Sequence, residues 1–440
     1  MDLKIEFTGK DITPWGGMIL MREIIKRSGI NQILHDIGLP SQRSNRGYDP
    51  IQFINTFWVA IWSGANRFEH LEVTRHDHVI RKMFGFNKMA GHKAFQRYFK
   101  KFNQADNQRI FTSLFSWFYN QIQFDNYTLD VDSTVMTRYG DQQGANRGYN
   151  SRKPGRMSHH PLIAFISDIR MAVNFWLRSG NTHTMNNIYG FLEDTFERLN
   201  GKKIGLFRAD SGFYDGKILK YLETKDMSYI IAAKLYRPLK LRMAQKRIYV
   251  RLADGIEISE MFYKSPGWDK ERRFIIVRQE ISKRPKATGK QLKLFGEPEM
   301  YRNYRYSLYV TNLSLSARLV WGLYRERSDA ENRIKELKED FGMDSFNVYD
   351  FFATEAALNF VIMAYNLMSL FRQAVLNTPT DHRLKTLRYK LFGIGSYVTQ
   401  HGNRRILKLA LAMKRRGWFM GLWEKTADFN WPVVLSIIKS

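Results

Sequence analysis

Cysteine is absent from this chain of 440 residues. Its absence excludes disulfide bonds, thiolate zinc sites and cysteine nucleophiles, and it fits a reducing cytoplasm. The chain also lacks an apolar run long enough to span a bilayer. The most apolar stretch, residues 357–371, is short and is interrupted by Asn359 and Asn366, so it predicts a buried helix. The first residues contain no apolar core of a signal peptide. We therefore expect a cytoplasmic protein with no membrane partner.

Acidic side chains are scarce relative to basic ones. Lysine and arginine number 69 against 42 aspartates and glutamates, which gives a formal net charge of +27. A charge of this size indicates a polyanionic partner, most simply nucleic acid, although an anionic membrane surface or solubility alone would also account for it. The length of 440 residues predicts two to four structural units, and the 44% of hydrophobic residues is enough for folded cores rather than a disordered chain.

The spacing of apolar residues divides the chain into regions. In residues 1–125 apolar side chains recur every three or four positions, with basic and aromatic side chains between them. This pattern predicts a helical DNA-binding region, although solvated basic helices show the same pattern. Residues 126–236 predict three strands, a helix, a strand, a helix and a strand, and with residues 313–345 they form an α/β catalytic core. Residues 237–312 alternate like strands and predict a β-rich insertion, and residues 346–440 predict a helical C-terminal region.

Three acidic residues stand where an α/β sheet commonly places a site. Asp132 lies on the first predicted strand of the core, Asp210 ends the fourth, and Glu331 lies on a helix predicted to start near Ser316 and to end at Gly342. Carboxylates that converge without a protein cation between them repel one another, so such a site needs a divalent metal. All-oxygen ligands favour Mg²⁺ or Mn²⁺, and two such ions promote phosphodiester displacement. Each aspartate alone is more typical of a turn or a helix cap.

The helix that carries Glu331 has an unusual face. Counting by helical steps places one phenol and two cations on the same stripe as the carboxylate: Tyr324, Arg327 and Lys338. An adjacent apolar stripe predicts the buried face: Ala330, Ile334, Leu337 and Phe341. We expect Lys338 to be exposed and Leu337 to be buried. A surface helix with Glu–Arg pairs would show similar charges, but it gives no reason for the two aspartates on the strands.

The spacing Tyr-x2-Arg-x3-Glu-x6-Lys resembles the signature of a large group of bacterial insertion-sequence transposases of the Asp-Asp-Glu type. The segments LDVDST and RADSGF, which contain Asp132 and Asp210, resemble that group's first and second aspartate motifs. GYNSRKPGRMSHHPLIAF and KELKEDFG are similar to the insertion-sequence 1380-like branch. The resemblance covers residues 126–342. It implies an RNase H-like catalytic core, interrupted by a β-rich insertion before the glutamate and flanked by helical N- and C-terminal regions.

The resemblance also implies an activity and its partners. The carboxylates of Asp132, Asp210 and Glu331 would bind two Mg²⁺ or Mn²⁺ ions per active site. The side chains of Tyr324, Arg327 and Lys338 would hold DNA phosphates. The activity would be cut-and-paste transposition, in which a homodimer assembled on double-stranded DNA binds the terminal inverted repeats, cleaves the strands and joins the 3′ hydroxyl to target DNA. The setting would be a bacterial cytoplasm, at the nucleoid.

Other residues are candidates for the same site. A basic loop among glycines and a proline is interpreted as a DNA clamp: Arg147, Arg152, Lys153 and Arg156. Trp268 in the insertion would stack on a flipped base or pack within the protein. His159 and His160 fit satisfied polar or DNA-facing roles better than metal ligation. Asp130 shares a strand face with Asp132, and we prefer Asp132 as the ligand because it directly precedes Ser-Thr, as in the family motif.

Two other functions compete with transposition. A metal-dependent nuclease of the same fold would cut DNA without joining ends, but it would need neither the insertion nor the basic flanking regions. A catalytically retired DNA-binding protein would not be expected to retain all three carboxylates and the complete four-residue signature.

Overall fold

The computed structural model describes residues 3–41, 47–123, 126–291, 303–378 and 380–434. Its N-terminal region is helical, as the apolar spacing predicted, and Gly29 and Gly38 end the first two helices with φ of 69° and 71°. Such left-handed backbone is the conformation that glycine adopts without strain. The helices of this region are α1 (Ile19–Ser28), α2 (Ile30–Ile37), α3 (Pro50–Trp62), α4 (Leu71–Arg75), α5 (His78–Phe84), α6 (His92–Phe99) and α7 (Gln104–Asn120).

Apart from short strands at residues 122–123, 136–137, 146–147 and 157–159, which were not predicted, the central region has the predicted order of strands and helices. Its strands and helices are β1 (Ile122–Gln123), β2 (Tyr127–Ser133), β3 (Met136–Thr137), β4 (Asn146–Arg147), β5 (Met157–His159), β6 (Leu162–Ile166), β7 (Met171–Trp176), α8 (Ile188–Leu199), β8 (Ile204–Ala209), α9 (Gly216–Thr224) and β9 (Ser228–Ala232). Strand β2 is antiparallel to β6, and β6 is antiparallel to β7. On its other side β2 is parallel to β8, and β8 is parallel to β9. The prediction of a mixed α/β fold is confirmed.

The insertion extends this sheet. It contains α10 (Arg237–Gln245), β10 (Val250–Ala253), β11 (Ile256–Tyr263), β12 (Arg272–Glu280) and β13 (Tyr304–Thr311). Strand β13 pairs antiparallel with β9. Among the described residues, nine strands therefore form one sheet in the order β10-β11-β12-β13-β9-β8-β2-β6-β7. The β-rich character of this region was predicted, with strands where β10, β12 and β13 lie, whereas strand β11 and helix α10, which opens the region, were not. The stretch 292–302 lies outside the described residues.

The predicted helix around Glu331 is two helices in the structure. They are α11 (Ala317–Arg325) and α12 (Ser328–Glu339), and a turn at Glu326 and Arg327 separates them. The amides of Arg327, Asp329 and Ala330 each bond the carbonyl three residues earlier, at 2.9–3.1 Å. This is the tighter 3₁₀ pattern. The turn contains neither glycine nor proline, so tertiary contacts rather than local sequence produce it.

The C-terminal region was predicted to be helical and is only partly so. It contains α13 (Phe351–Phe371), α14 (Leu384–Leu387), β14 (Ser396–His401), β15 (Arg404–Leu409), α15 (Met413–Ala427) and β16 (Val433–Val434). Strands β14 and β15 form a hairpin with Gly402 and Asn403 in its turn. Residues 404–409 were assigned to a helix because their apolar spacing fits both structures. The Gly-Asn pair between two strand-like runs is a hairpin signal that the helical interpretation overlooked.

Helix α13 is the centre of the hydrophobic core. With the turn that follows it, residues 351–376, it is long and apolar enough to cross a membrane by length and composition, but 83% of its most apolar window is buried inside the fold. Helix α3 packs across it, and the indoles of Trp58 and Trp62 donate hydrogen bonds of 2.9 and 3.1 Å to the carbonyls of Phe360 and Ala364. The predicted buried helix is therefore longer than its apolar run, and it fixes the N-terminal helices to the sheet.

Candidate active site

Two of the predicted carboxylates lie at the ends of neighbouring parallel strands. In the register of β2 and β8, Asp130 pairs with Arg208 and Val131 with Ala209. One further step along each strand places Asp132 beside Asp210. A backbone amide holds each carboxylate at 2.8 Å, from Ser133 for Asp132 and from Gly212 for Asp210. Both carboxylates thus stand at the carboxyl edge of the parallel strands, where open α/β sheets bind ligands.

Arg327 connects the third carboxylate to the first. Its Nη2 lies 3.0 Å from Asp132 Oδ2, and its Nη1 lies 3.8 Å from Glu331 Oε1. The side chain of Arg327 is buried, whereas that of Glu331 is 69% exposed. The expectation that no protein cation lies between the carboxylates is wrong. The turn before α12 brings the Arg327 guanidinium inward, so in this structure it meets carboxylates.

The charges at the site act on one another. Burial, together with the neighbouring Asp210 and Glu331, raises the pKa of Asp132 to about 6, although Arg327 opposes the rise. Within the described ranges, no group of three or more His, Cys, Asp or Glu side chains is gathered closely enough to hold a metal ion. The donor set still fits a hard divalent cation, because it consists of carboxylate oxygens whose mutual repulsion such a cation would relieve. Arg327 would have to release Asp132 for that.

Asp130, the alternative ligand, has a different partner. Arg208 Nε donates to its Oδ1 at 2.6 Å, and Arg208 Nη2 donates to its Oδ2 at 2.8 Å. Arg208 also donates to Ser167 Oγ at 2.8 Å and to the backbone carbonyl of Leu323 near the end of α11. This buried arginine therefore joins the sheet to the helix turn that carries Arg327. Arg208 was not predicted as part of the site, although it lies two residues before Asp210 and so on the same strand face.

Tyr324 and Lys338 make contacts within the protein. The ring of Tyr324 packs on Tyr309 with centroids 4.4 Å apart, and burial raises the pKa of Tyr324 above its ordinary value. Lys338 Nζ donates to the carbonyl of Val135 at 2.6 Å and lies 3.5 Å from Asp344 Oδ1. The expectation that Lys338 is exposed is wrong, because its side chain is 11% exposed.

The basic loop projects from the small sheet β3-β5-β4. Its four cationic side chains are exposed: Arg147, Arg152, Lys153 and Arg156. Lys153 lies over the ring of Tyr139 at 4.9 Å and donates to its hydroxyl. Beneath the loop, His159 accepts from Arg138 Nε at 3.0 Å, and its other ring nitrogen meets the carbonyl of Gln143 at 3.0 Å.

Two further candidates are engaged in packing. His160 Nδ1 lies 3.0 Å from the carbonyl of Thr182. Trp268 stacks on Phe274 with ring centroids 6.1 Å apart, and the Arg272 guanidinium lies 4.9 Å above the indole. A Cβ on Gly216, the first residue of α9, would lie 2.5 Å from Trp268 Nε1. Trp268 thus joins the insertion to α9, which is the packing alternative, and stacking on a base would require it to leave these contacts.

A cleft of about 2000 Å³ opens beside Glu331 and beside Ser211, the residue that follows Asp210. Tyr324, Arg327 and Glu331 line one side of it. The insertion and the loop after β9 contribute basic residues to the lining: Lys234, Arg284, Lys286 and Lys290. The cleft therefore connects the predicted site with cationic groups that the sequence motifs did not indicate.

Comparison with known proteins identifies the family. The family model described as "Transposase DDE domain group 1" matches residues 1–428. A search of curated proteins found no match. Among solved structures, the piggyBac transposase in its synaptic complex with hairpin DNA, determined by cryo-electron microscopy, is 11% identical over 87% of this chain and 81% of that chain, with a TM-score of 0.46. The family match spans nearly the whole sequence, and the chain belongs to the DDE-domain transposases of group 1.

Proposed function

We propose that this DNA transposase carries out cut-and-paste transposition of a bacterial insertion sequence of the 1380-like branch, at an RNase H-like core. The observation that carries the proposal is the placement of Asp132 and Asp210 at adjacent strand ends, with Glu331 linked to Asp132 through Arg327. The strand order β7-β6-β2-β8-β9, with β6 antiparallel to β2 and β8 and β9 parallel to it, supports an RNase H-like core.

The carboxylates of Asp132, Asp210 and Glu331 would hold two Mg²⁺ or Mn²⁺ ions. When bound, the ions supply Lewis acidity that activates a water or a 3′ hydroxyl and stabilises the leaving oxygen. The chain's own residues bind and orient the DNA. Arg327 and Tyr324 line the cleft beside Glu331, where a phosphate would receive charge-assisted hydrogen bonds. Lys338 supports the backbone after β2, in addition to any contact with phosphate.

The DNA partner is proposed from charge and from the cleft. The net charge of +27, the exposed basic loop and the cationic lining of the cleft together favour a phosphate backbone. We propose that the protein binds terminal inverted repeats and target DNA as a homodimer, with the N-terminal helices adding contacts. Binding would then weaken steeply with salt, with a log–log slope of about −0.9 for each phosphate neutralised.

One assay tests this function against its alternatives. The purified protein is incubated with Mg²⁺, a supercoiled target plasmid and a labelled duplex that carries an inverted repeat from the DNA flanking the gene. Transposition predicts metal-dependent cleavage at the repeat and labelled plasmid that contains the joined end. A nuclease would give cuts without joined product, and a non-catalytic DNA-binding protein would give neither. Glu331→Gln is the matched control, and cleavage that persists in it would contradict the proposed site.

A further inference from the structure

The two arginine–aspartate pairs at the site differ in geometry. Arg208 binds Asp130 with two aligned hydrogen bonds of 2.6 and 2.8 Å and is fully enclosed. Arg327 lies slightly farther from Asp132, at 3.0 Å, and among the described residues its Nε and Nη2 have no aligned hydrogen-bond partner. The first pair is a saturated structural contact. The second is a close ionic contact with unused donors on a buried guanidinium.

A buried carboxylate needs a compensating charge. Asp132 is 8% exposed, and Asp210 and Glu331 add negative charge around it. Removing one partner of a buried ion pair leaves the other charge uncompensated, which is unfavourable. In this structure the compensating charge is the guanidinium of Arg327, 3.0 Å from Asp132 Oδ2. A divalent cation at the proposed site would compete with Arg327 for the Asp132 carboxylate, because Oδ1 accepts from the Ser133 amide and Oδ2 contacts Arg327.

We propose that Arg327 is the resident counter-ion of the metal-free site and that it exchanges with the divalent metal. This inference rests on the proposed metal-dependent function. In the resting protein Arg327 keeps Asp132 and Glu331 compensated without metal. When the metal binds, the guanidinium leaves Asp132 and stays at the wall of the cleft, which it already lines. Metal loading thereby frees the cation that faces the substrate, so metal and DNA favour each other's binding through one side chain.

The exchange predicts a gain of metal affinity when the competing cation is removed. Mn²⁺ is titrated calorimetrically into the full-length, DNA-free protein at about pH 8, where the carboxylates are ionised. Arg327→Gln should bind Mn²⁺ about tenfold more tightly than the wild type, the ratio that corresponds to a modest competing ion pair. Arg208→Gln is the matched control, since it breaks the neighbouring Arg–Asp pair but not the competition. Unchanged or weaker affinity in Arg327→Gln, or an equal gain in Arg208→Gln, would overturn the proposal.

Thermal melting gives a second readout that does not depend on activity. In a chelator, both arginine variants should melt below the wild type, because each leaves a buried aspartate without its cation. Mn²⁺ should raise the melting temperature of Arg327→Gln by more than it raises that of the wild type. It should not do so for Arg208→Gln. Should Arg327→Gln fold poorly, Arg327→Lys, which keeps the charge but has less reach, must still bind Mn²⁺ more tightly than the wild type for the proposal to hold.

Asp132→Asn separates failure of the inference from failure of the proposed function. Mn²⁺ binding that Asp132→Asn leaves intact would contradict the metal site itself, and the inference with it. Binding that Asp132→Asn removes but that Arg327→Gln does not tighten would overturn only the exchange of Arg327 with metal.

Discussion

Lys338 donates a hydrogen bond of 2.6 Å to the backbone carbonyl of Val135. Val135 lies three residues after Asp132, so the contact ties helix α12 directly to the chain that leaves strand β2. Asp344, 3.5 Å from the same nitrogen, supplies a counter-charge, and burial lowers the pKa of Lys338. In this conformation the lysine of the signature supports the backbone behind the site.

Lys338→Ala should therefore destabilise the fold. The substitution leaves the Val135 carbonyl and the Asp344 carboxylate without their cation, and an unsatisfied buried group costs about 1–3 kcal/mol. Lys335→Ala, at an exposed lysine on the same helix, should change the free energy of unfolding by less than about 0.5 kcal/mol. Denaturant unfolding of the two variants measures the difference. Equal stabilities would show that the contact with Val135 contributes nothing.

Leu337, the neighbour of Lys338, should also be important for folding. Its side chain lies on the buried face of α12 and is fully buried, as the apolar stripe predicted. Leu337→Ala should lower the free energy of unfolding by about 2–5 kcal/mol, because it removes buried methyl groups and leaves a cavity. Leu319→Ala on α11, where the leucine is 55% exposed, is the matched control and should have a much smaller effect. If the two leucines are equally tolerant, the buried face of α12 has been misidentified.

The carboxylates could be placed from the sequence because local patterns decide them. The period-two alternation in residues 127–133 and the strand that ends before Asp210 predict two strand ends, and adjacent parallel strands bring such ends together. The position of Arg327 could not be obtained in this way. Helical counting assigned it to the same face as Glu331, but its direction depends on Asp132 and on the contact between Arg208 and the Leu323 carbonyl, which lie on other elements.

Trp268→Ala should lower the stability of the fold rather than act directly on DNA binding. The indole is half-buried between Phe274 and the start of α9, so its removal should cost about 2–3 kcal/mol, less than for a fully buried tryptophan. Trp268→Phe should recover a large part of this loss, since it keeps an apolar ring against Phe274. Melting and DNA-end binding are measured for both. A variant that melts normally but no longer binds DNA ends would show that Trp268 stacks on a base.

His159 should make the fold sensitive to acid. Burial, together with the adjacent Arg138, lowers the pKa of His159 to about 4, although the hydrogen bond to Gln143 opposes the shift. Because the pKa in the folded state lies below the ordinary value, the neutral imidazole contributes stability that is present above about pH 6.5. This contribution is lost as the pH falls toward 4. Between about pH 7 and pH 5 the wild type should lose about 2 kcal/mol more than His159→Gln.

The comparison of His159→Gln with the wild type also cancels the contribution of Asp132 to the pH dependence of stability. Asp132 titrates in the same range with the opposite sign, and its contribution is common to both proteins. Denaturant unfolding at the two pH values gives the difference between them. Parallel pH dependence in the two proteins would show that His159 accepts a proton in the folded state.

Asp132→Asn should stabilise the metal-free protein while it abolishes cleavage. Burial raises the pKa of Asp132 to about 6, so the folded state disfavours its ionised form. The stability contributed by the protonated carboxyl is complete below about pH 4 and is lost as pH rises through 6. Above that value the charge costs about 3 kcal/mol, and the neutral amide should recover about 1–3 kcal/mol of it, reduced by the lost contact with Arg327. The gain should therefore grow between about pH 4 and pH 6.

Glu331→Gln is the matched control for Asp132→Asn, because it removes the charge of an exposed carboxylate rather than of a buried one. The Glu331 side chain is 69% exposed, so the amide should change the free energy of unfolding by less than about 0.5 kcal/mol at any of these pH values. Both variants should fail to cleave, because each removes a proposed metal ligand. Unfolding in a chelator and end cleavage in Mg²⁺ are measured side by side. If Asp132→Asn is less stable than the wild type above pH 6, the ion pair with Arg327 stabilises the fold by more than burial of the carboxylate destabilises it. The ionised Asp132 would then stabilise the fold without metal.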